Sequence, residues 1–134
     1  MLSIDNWLNE TTCHADLILP GLSALEQPHY DELIWSWAVR NAGKYSPALF
    51  DPGERPQEWQ ILLTLAAILQ GADPDAIDAT ALDQLFFAGL VAGITQLPGS
   101  RIQGRDPAEI VAATAGVGPE RLLDFQIRSG PWGD

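Results

Sequence analysis

Apolar and polar positions divide the chain into a strand-like start, a proline-punctuated middle and a helical second half. Residues 2–5 predict a short strand that ends on Asp5, and residues 15–19 predict a second short strand that Pro20 ends. Between them, residues 10–14 favour a helical turn. We expect the first strand to pair with the second, to pair with another chain, or to lack a partner, because an exposed edge strand recruits a neighbour.

The middle of the chain, residues 21–56, predicts an irregular connector because prolines recur along it. Its segment 33–39 fits either a helix or a strand that has Trp35 and Trp37 on one face, and periodicity alone does not choose between them. Two acidic residues that would lie in the first helical turn favour a helix over 30–39.

The second half predicts about four helices, each with a recognisable start. The first spans 57–70 and has little polar face, so we expect it to be largely buried. Asp73-Pro74 is a capped start, and Thr80-x-x-Asp83 is a candidate restart of the same helix. Further starts lie at Asp106-Pro107 and Pro119-Glu120. The fold class is therefore predicted to be α+β and mostly helical, with short strands near the N-terminus from the tail of an α/β unit.

Composition supports a folded chain and excludes several classes of function. Hydrophobic residues make up 46% and charged residues 19%, which is typical of a globular protein. A net charge of −11 disfavours nucleic acid as a partner, because a phosphate backbone would be repelled. No apolar run is long enough for a membrane helix, and the start does not resemble a signal peptide. The sequence thus predicts no membrane partner and, by default, a cytoplasmic location.

Two groups of residues invite a metal site, and the spacing argues against both. Cys13 and His14 are adjacent, so they offer two diverging ligands where a site needs three or four converging ones. The carboxylates at 73, 75, 78 and 83 lack the ligand spacing of a calcium loop. We therefore expect no metal ligand in this chain, and we expect the four carboxylates to be solvated helix ends.

The segment from Ile4 to Pro20 carries Asp5, then Glu10-Thr11, then Ala15-Asp16 and an apolar run that ends in Leu-Pro. In this order it resembles a signature of the molybdopterin oxidoreductases, a family that includes formate dehydrogenases and periplasmic nitrate reductases. These enzymes hold molybdenum or tungsten between two pterin guanine dinucleotides. The acidic-aromatic sequence from Glu54 to Leu62 resembles a second element of the same family.

The resemblance implies that the chain is an internal fragment of such an enzyme, since 14.5 kDa is too small for the whole. It would form one fragment domain: 1–20 as the end of a cofactor-binding α/β unit, 21–56 as connector and 57–134 as helical part. Its partner would be the remainder of the parent enzyme, and orphaned apolar surface could drive self-association. The piece alone would not be catalytic, and we expect no cofactor bound to the isolated chain.

Three residues match cofactor-binding positions of the family, namely Asp5, Gln27 and Glu58, and no catalytic residue is implied. A carboxylate at a strand end can accept two hydrogen bonds from the N1–H and the exocyclic amine of guanine, so Asp5 is the candidate for the guanosine end. The competing interpretations are a loop aspartate satisfied by neighbouring amides and, for Glu58, an acid placed by the helix dipole. The chain departs from the family pattern just after Gln27, where extra residues intervene.

A different class of function is an acidic helical interaction module that stands alone and binds a protein partner. It would present a large exposed apolar patch, for which the surroundings of Trp35 and Trp37 are the candidate. The competing expectation is that the tryptophans at 35, 37, 59 and 132 lie in the core or in a buried interface. The sequence does not indicate the substrate of a parent enzyme or the choice between molybdenum and tungsten.

Overall fold

A computed structural model describes residues 1–30, 37–40 and 43–130. The chain divides into two compact units, Met1–Glu58 and Trp59–Asp134. The fold is α+β and mostly helical, as the sequence predicted. In the described residues, the short strands lie in the first unit and four α-helices follow them. The division between the units falls close to the predicted end of the connector.

The first unit begins with a pair of parallel strands, β1 (Leu2–Ile4) and β2 (Leu17–Leu19). Leu2 lies opposite Leu17 and Ile4 lies opposite Leu19. Of the three outcomes that the sequence left open for the first strand, the structure shows pairing with the 15–19 segment. The predicted helical turn is also present, as a short 3-10 helix over Thr12–His14.

The connection between the two strands is closed by side-chain hydrogen bonds. The Asn9 Oδ1 atom accepts from the amides of Thr11 and Thr12 at 2.9 and 3.0 Å. Thr12 is buried, and its hydroxyl accepts from the Asn9 amide at 2.8 Å and donates to the Trp7 carbonyl at 2.9 Å. These bonds satisfy backbone groups that no strand or long helix could pair, which allows a parallel crossover in so few residues.

Two further strands, β3 (His29–Tyr30) and β4 (Tyr45–Ser46), pair antiparallel in the connector. The helix predicted over 30–39 lies mostly outside the described residues. Its predicted start is wrong, since Tyr30 belongs to β3, and residues 37–40 form a turn and bends. The sequence did not reveal this pairing because two-residue strands are too short to show a period.

Over residues 58–130, the structure has four α-helices and one short 3-10 helix. The α-helices are α1 (Glu58–Leu69), α2 (Ala79–Gln96), α3 (Pro107–Ala113) and α4 (Gly118–Ser129), and the 3-10 helix spans Pro74–Ala76. The predicted starts at Asp73-Pro74, Asp106-Pro107 and Pro119-Glu120 are confirmed. Aspartate caps explain two of them, because Asp73 accepts from the Asp75 amide at 3.2 Å and Asp106 from the Ala108 amide at 2.9 Å.

The start of α2 differs from the prediction by a few residues. Asp78 caps this helix, and its Oδ1 atom accepts from the amides of Thr80 and Ala81 at 2.9 and 3.2 Å. Thr80 therefore lies inside the first turn and does not restart the helix. Aspartate and threonine are both favoured caps, so the sequence offered two competing starts and only the backbone distinguishes them.

The core of the second unit is formed by five buried apolar side chains, which are Phe87, Val91, Ile102, Ile110 and Phe125. Phe87 and Phe125 meet edge to face, with ring centroids 5.6 Å apart at 87°, the geometry that the aromatic quadrupole favours. The core thus joins α2, α3, α4 and the segment between α2 and α3.

The prediction that the first helix is largely buried is wrong. No residue of α1 is fully buried, and Leu62 and Leu69 are exposed, Leu69 to 87%. An apolar helix face is buried only where another element packs on it, and helix packing in the second unit is densest between α2 and α3. Among the described residues, no helix is long and apolar enough to cross a membrane.

Candidate functional site

Asp5 lies at the carboxyl end of the parallel strand pair. Its amide donates to the Leu19 carbonyl at 3.1 Å, which extends the pairing of β1 and β2 by one residue. Its carboxylate faces its own loop, where Oδ1 accepts from the Trp7 amide and Oδ2 accepts from Asn9 Nδ2, both at 3.0 Å. A carboxylate offers about four lone-pair positions, so two acceptor positions of Asp5 are left by these bonds.

Glu58 is brought to the same end of the strand pair through Gly21. A Cβ atom on Gly21 would lie 3.0 Å from Glu58 Oε1 and 3.2 Å from its Cγ, so the glutamate side chain passes directly over this glycine. Gly21 follows β2 by two residues, whereas Asp5 follows β1. In addition, Asn6 Nδ2 donates to the Leu22 carbonyl at 3.1 Å and joins the two loops. Asp5 and Glu58 therefore share the carboxyl edge of the sheet.

Gln27 lies half-buried just before β3. Within the described residues, no hydrogen bond or ion pair joins Gln27 to Asp5 or Glu58. Of the three residues selected by the resemblance, Asp5 and Glu58 therefore lie at one edge of the sheet, and Gln27 lies in the connector that follows it.

The neighbour of Gln27, Glu26, makes two charge-assisted contacts that sequence reasoning missed. Its Oε2 atom accepts from the Ser23 amide at 3.0 Å, and its Oε1 atom forms an ion pair with Arg55. The hydrogen bond from Arg55, followed by the one from Ser23, lowers the pKa of Glu26 to about 2. The partners are 29 residues apart, so no local pattern could have revealed the pair.

The donor and acceptor groups at the sheet edge determine which part of a pterin guanine dinucleotide they fit. Asp5 and Glu58 supply carboxylate acceptors, which suit the N–H donors on the base edge of guanine. They do not suit its diphosphate, and Arg55 is already engaged by Glu26. Positive charge for a diphosphate would have to come from other residues.

The single cysteine lies at the surface of the first loop. Cys13 is exposed, and its Sγ atom donates to the Glu10 carbonyl at 3.2 Å. In the part of the chain that the structure describes, no cluster of three or more histidine, cysteine or acidic side chains could hold a metal ion.

The expectation that the four carboxylates from 73 to 83 are solvated helix ends is wrong for Asp83. Asp83 is buried, its Oδ2 accepts from the Gly118 amide at 3.0 Å, and it lies 3.3 Å from the Arg121 NH1 atom. Arg121 also donates through Nε to the Gly116 carbonyl at 3.0 Å and stacks 5.4 Å from the centre of the Phe87 ring. This network joins the start of α4 to α2. One signal in the sequence could have indicated this burial, since Asp83 is the single charged residue in the apolar sequence of α2.

The two tryptophans of this expectation that the structure describes, Trp37 and Trp59, differ in their environment. The Trp59 ring packs on Gly118 within the second unit, whereas Trp37 is 77% exposed and so does not lie in the core. Trp35 and Trp132 lie outside the described residues. Of the apolar patch predicted around Trp35 and Trp37, the structure therefore describes one exposed member.

Comparisons of the chain with protein-family models, with curated proteins and with solved structures gave no match.

Proposed function

We propose that this chain is part of a molybdopterin-dependent oxidoreductase and contributes to binding the guanosine end of the pterin guanine dinucleotide. The observation that carries the proposal is the parallel pair of β1 and β2, which places Asp5 and Glu58 at one carboxyl edge. In open α/β sheets, ligands bind beyond the carboxyl ends of the strands. These two residues are among the three that the family resemblance selects.

The incomplete sheet supports a role as part of a larger protein. Parallel strands occur almost only in sheets that are covered on both faces. Here the first sheet has two strands in the described part of the chain, and Leu2 and Leu17 are exposed. Further strands and covering helices from the remainder of a parent enzyme would complete this sheet, and that remainder is the proposed partner.

Asp5 is the residue proposed to read the base. The bonds from the Trp7 amide and from Asn9 fix the orientation of its carboxylate before any ligand binds. Its two remaining acceptor positions would take the N1–H and the exocyclic amine of guanine. When bound, the cofactor supplies the redox chemistry at its metal, so the piece described here is not catalytic by itself.

Glu58 and Gln27 are proposed as secondary contacts. Glu58 is exposed at the same edge and can accept a further hydrogen bond. Gln27 rests on the resemblance alone, because no described contact brings it to that edge.

The sequence that flanks this segment tests whether the chain is a piece of such an enzyme. We expect the open reading frame to continue on both sides with sequence that resembles the same family. A stop codon directly after a free-standing frame, with no such sequence upstream, would contradict the proposal.

Binding of guanosine monophosphate tests the site. We expect the isolated chain to bind it weakly, with a dissociation constant well above about 1 μM, because most contacts lie in the remainder of the enzyme. Guanosine monophosphate should change the amide chemical shifts around Asp5 and Gly21, and adenosine monophosphate should change them less.

The Asp5→Asn variant should lose this preference for guanosine monophosphate, whereas Glu54→Gln, which replaces an exposed carboxylate in the connector, should keep it. Equal shifts with both nucleotides would exclude base recognition by Asp5.

A second candidate function, the stand-alone interaction module, is favoured by one observation. Leu85 and Phe86 are exposed on α2, in a stretch that carries no charge from Gln84 to Gln96. Such a surface is typical of a protein interface. The reading-frame test separates the two candidates, since a continuing family-like frame contradicts a free-standing module.

A further inference from the structure

A pocket of about 230 Å³ opens in the second unit between α3, α4 and the segment that precedes α3. The side chains of Ile102, Ile110 and Phe125, which belong to the core, form its apolar floor. Arg105, Arg128 and Thr114 line it as well. The pocket thus combines a rigid apolar surface with guanidinium groups.

The positive charge at this pocket is unusual for the chain, which has 7 basic and 18 acidic residues. Among the described residues, Arg105 makes no ion pair with a carboxylate. An arginine that no acid neutralises in so acidic a protein is available to an external anion.

Arg128 is held in place by its neighbour on α4. Its Nε atom donates to both oxygens of Asp124 at 3.0 and 2.9 Å, and Asp124 also accepts from the Ala115 amide at 2.8 Å. The bond from Ala115, together with Arg128, keeps the pKa of Asp124 below its ordinary value, so this carboxylate stays ionised. Because the contact uses Nε, the terminal amino groups of Arg128 can still donate elsewhere.

From these groups we infer that the pocket binds a small organic monocarboxylate with an apolar body, a function separate from cofactor binding by the first unit. The two arginines and Asp124 sum to about one positive charge, which matches a monoanion and not a phosphate dianion. The apolar floor favours a hydrocarbon body. The volume is below the roughly 300–1,000 Å³ of drug-sized sites, so the ligand is small, on the order of ten non-hydrogen atoms.

Titration with benzoate tests the inference, with benzamide and inorganic phosphate as comparison ligands. We expect benzoate to shift the amides that line the pocket with a dissociation constant on the order of 1 mM. Benzamide has the same shape without the charge and should bind at least about tenfold more weakly, because it forfeits the charge-assisted hydrogen bonds. Phosphate should cause no saturable shifts there. Equal binding of benzoate and benzamide, or binding of phosphate as tight as that of benzoate, would overturn the inference.

Matched variants locate the site. Arg105→Gln should weaken benzoate binding about tenfold, the loss expected for one charge-assisted contact. Arg101→Gln removes the same charge from an exposed arginine that does not line the pocket, so it should leave the affinity unchanged. Ala113→Leu adds bulk to the pocket wall and should abolish binding, with circular dichroism confirming the fold. Equal effects of the variants at 105 and 101 would show a nonspecific charge effect and refute the site.

Discussion

At position 118, the lack of a side chain decides how α4 begins. Gly118 has φ +54°, a backbone conformation that residues with a Cβ atom rarely adopt. A Cβ atom here would lie 2.6 Å from Cε2 of the Trp59 ring. The same residue donates its amide to buried Asp83. Gly118 therefore permits two contacts: the Trp59 indole packs on its backbone, and its amide donates a hydrogen bond to Asp83.

Gly118→Ala should reduce the free energy of unfolding by roughly 2–4 kcal/mol, because it adds left-handed strain to a steric clash with Trp59. Gly71→Ala is the matched control, since Gly71 has φ +90° but nothing within 4 Å of its would-be Cβ atom. It should cost about 1 kcal/mol, for the backbone alone. Urea unfolding followed by circular dichroism measures both. Equal losses would show that contact with Trp59 is unimportant.

The ion pair of Glu26 and Arg55 predicts a dependence of stability on pH. The pKa of Glu26 is lowered from 4.5 to about 2 in the folded chain. A depressed pKa means that the stabilisation is fully present above the ordinary value of 4.5 and is lost as the pH falls towards 2. The effect should be small, because both partners contact solvent.

The measurement is the difference in unfolding free energy between the wild type and Glu26→Gln. We expect this difference to shrink as the pH is lowered from about 4.5 to 2, and to be constant from pH 5 to 8. Glu54→Gln, a control at an exposed acid, should show no such trend. A difference that stays constant from pH 8 down to pH 2 would mean that Glu26 has an ordinary pKa in the folded chain.

Asp5→Asn in a full-length parent enzyme should impair cofactor loading and leave the fold of this piece unchanged. The amide replaces one acceptor oxygen by an NH₂ group that would face guanine's own donors. The expected cost is roughly 2–4 kcal/mol, which is about one and a half to three powers of ten in affinity. Metal and pterin content of the purified proteins measures loading, and circular dichroism controls for folding. Equal loading at limiting cofactor would remove Asp5 from the site.

At the scale of elements, the helices of the second unit are joined by apolar packing and by one buried ion pair. Phe87 on α2 contacts Phe125 and Arg121 on α4, so the same ring serves both interactions. The side chains of Asp83 and Arg121 are only 7% and 11% exposed, so bulk water solvates neither charge well and each depends on the other. A pair of this kind fixes the register of two helices more than it adds stability.

Removal of both partners should therefore cost less than the two single removals added together. Asp83→Ala and Arg121→Met should each destabilise the protein by about 3–5 kcal/mol, because each leaves an uncompensated buried charge or amide. The double variant should lose less than the sum of the two, with a coupling energy of at least about 1 kcal/mol. Unfolding in urea of the four proteins of this cycle gives the coupling energy. Additive losses would show that the two side chains do not interact.

At the scale of the whole molecule, burial is distributed unevenly between the two units. The clustered core of five apolar side chains belongs to the second unit. In the described part of the first unit, Leu22 is the one fully buried large apolar side chain. Since buried apolar area is the main source of stability, the first unit has little of its own. This agrees with our proposal that further strands from a parent protein complete the sheet.

Native-state hydrogen exchange should resolve this difference. We expect amides of β1 and β2 to exchange at least about a hundredfold faster than those in the middle of α2, because they open by local unfolding without disrupting the core. In the parent enzyme the strand amides should become as protected as those of α2. Equal protection in the isolated chain would contradict the view that the sheet is incomplete.

The sequence by itself determined the features that depend on local chemistry. Aspartate followed by proline marks helix starts at 73 and 106 because the carboxylate caps free amides within three residues. The apolar segment before Pro20 forms β2 because it has no competing helical period. The short apolar segment before Asp5 placed this residue at a strand end. The order of strands and helices along the sequence then predicted the α+β class.

Tertiary structure alone decided the features that join distant residues. The approach of Glu58 to Gly21, the pairing of Glu26 with Arg55 and the burial of Asp83 all depend on contacts between separate segments. No local pattern encodes them, because in each case the contacting residues are at least 29 positions apart in the sequence. Helix α1 shows the same dependence. Its apolar sequence was sufficient to form a helix, but burial requires a surface that packs against it, and no residue of α1 is fully buried.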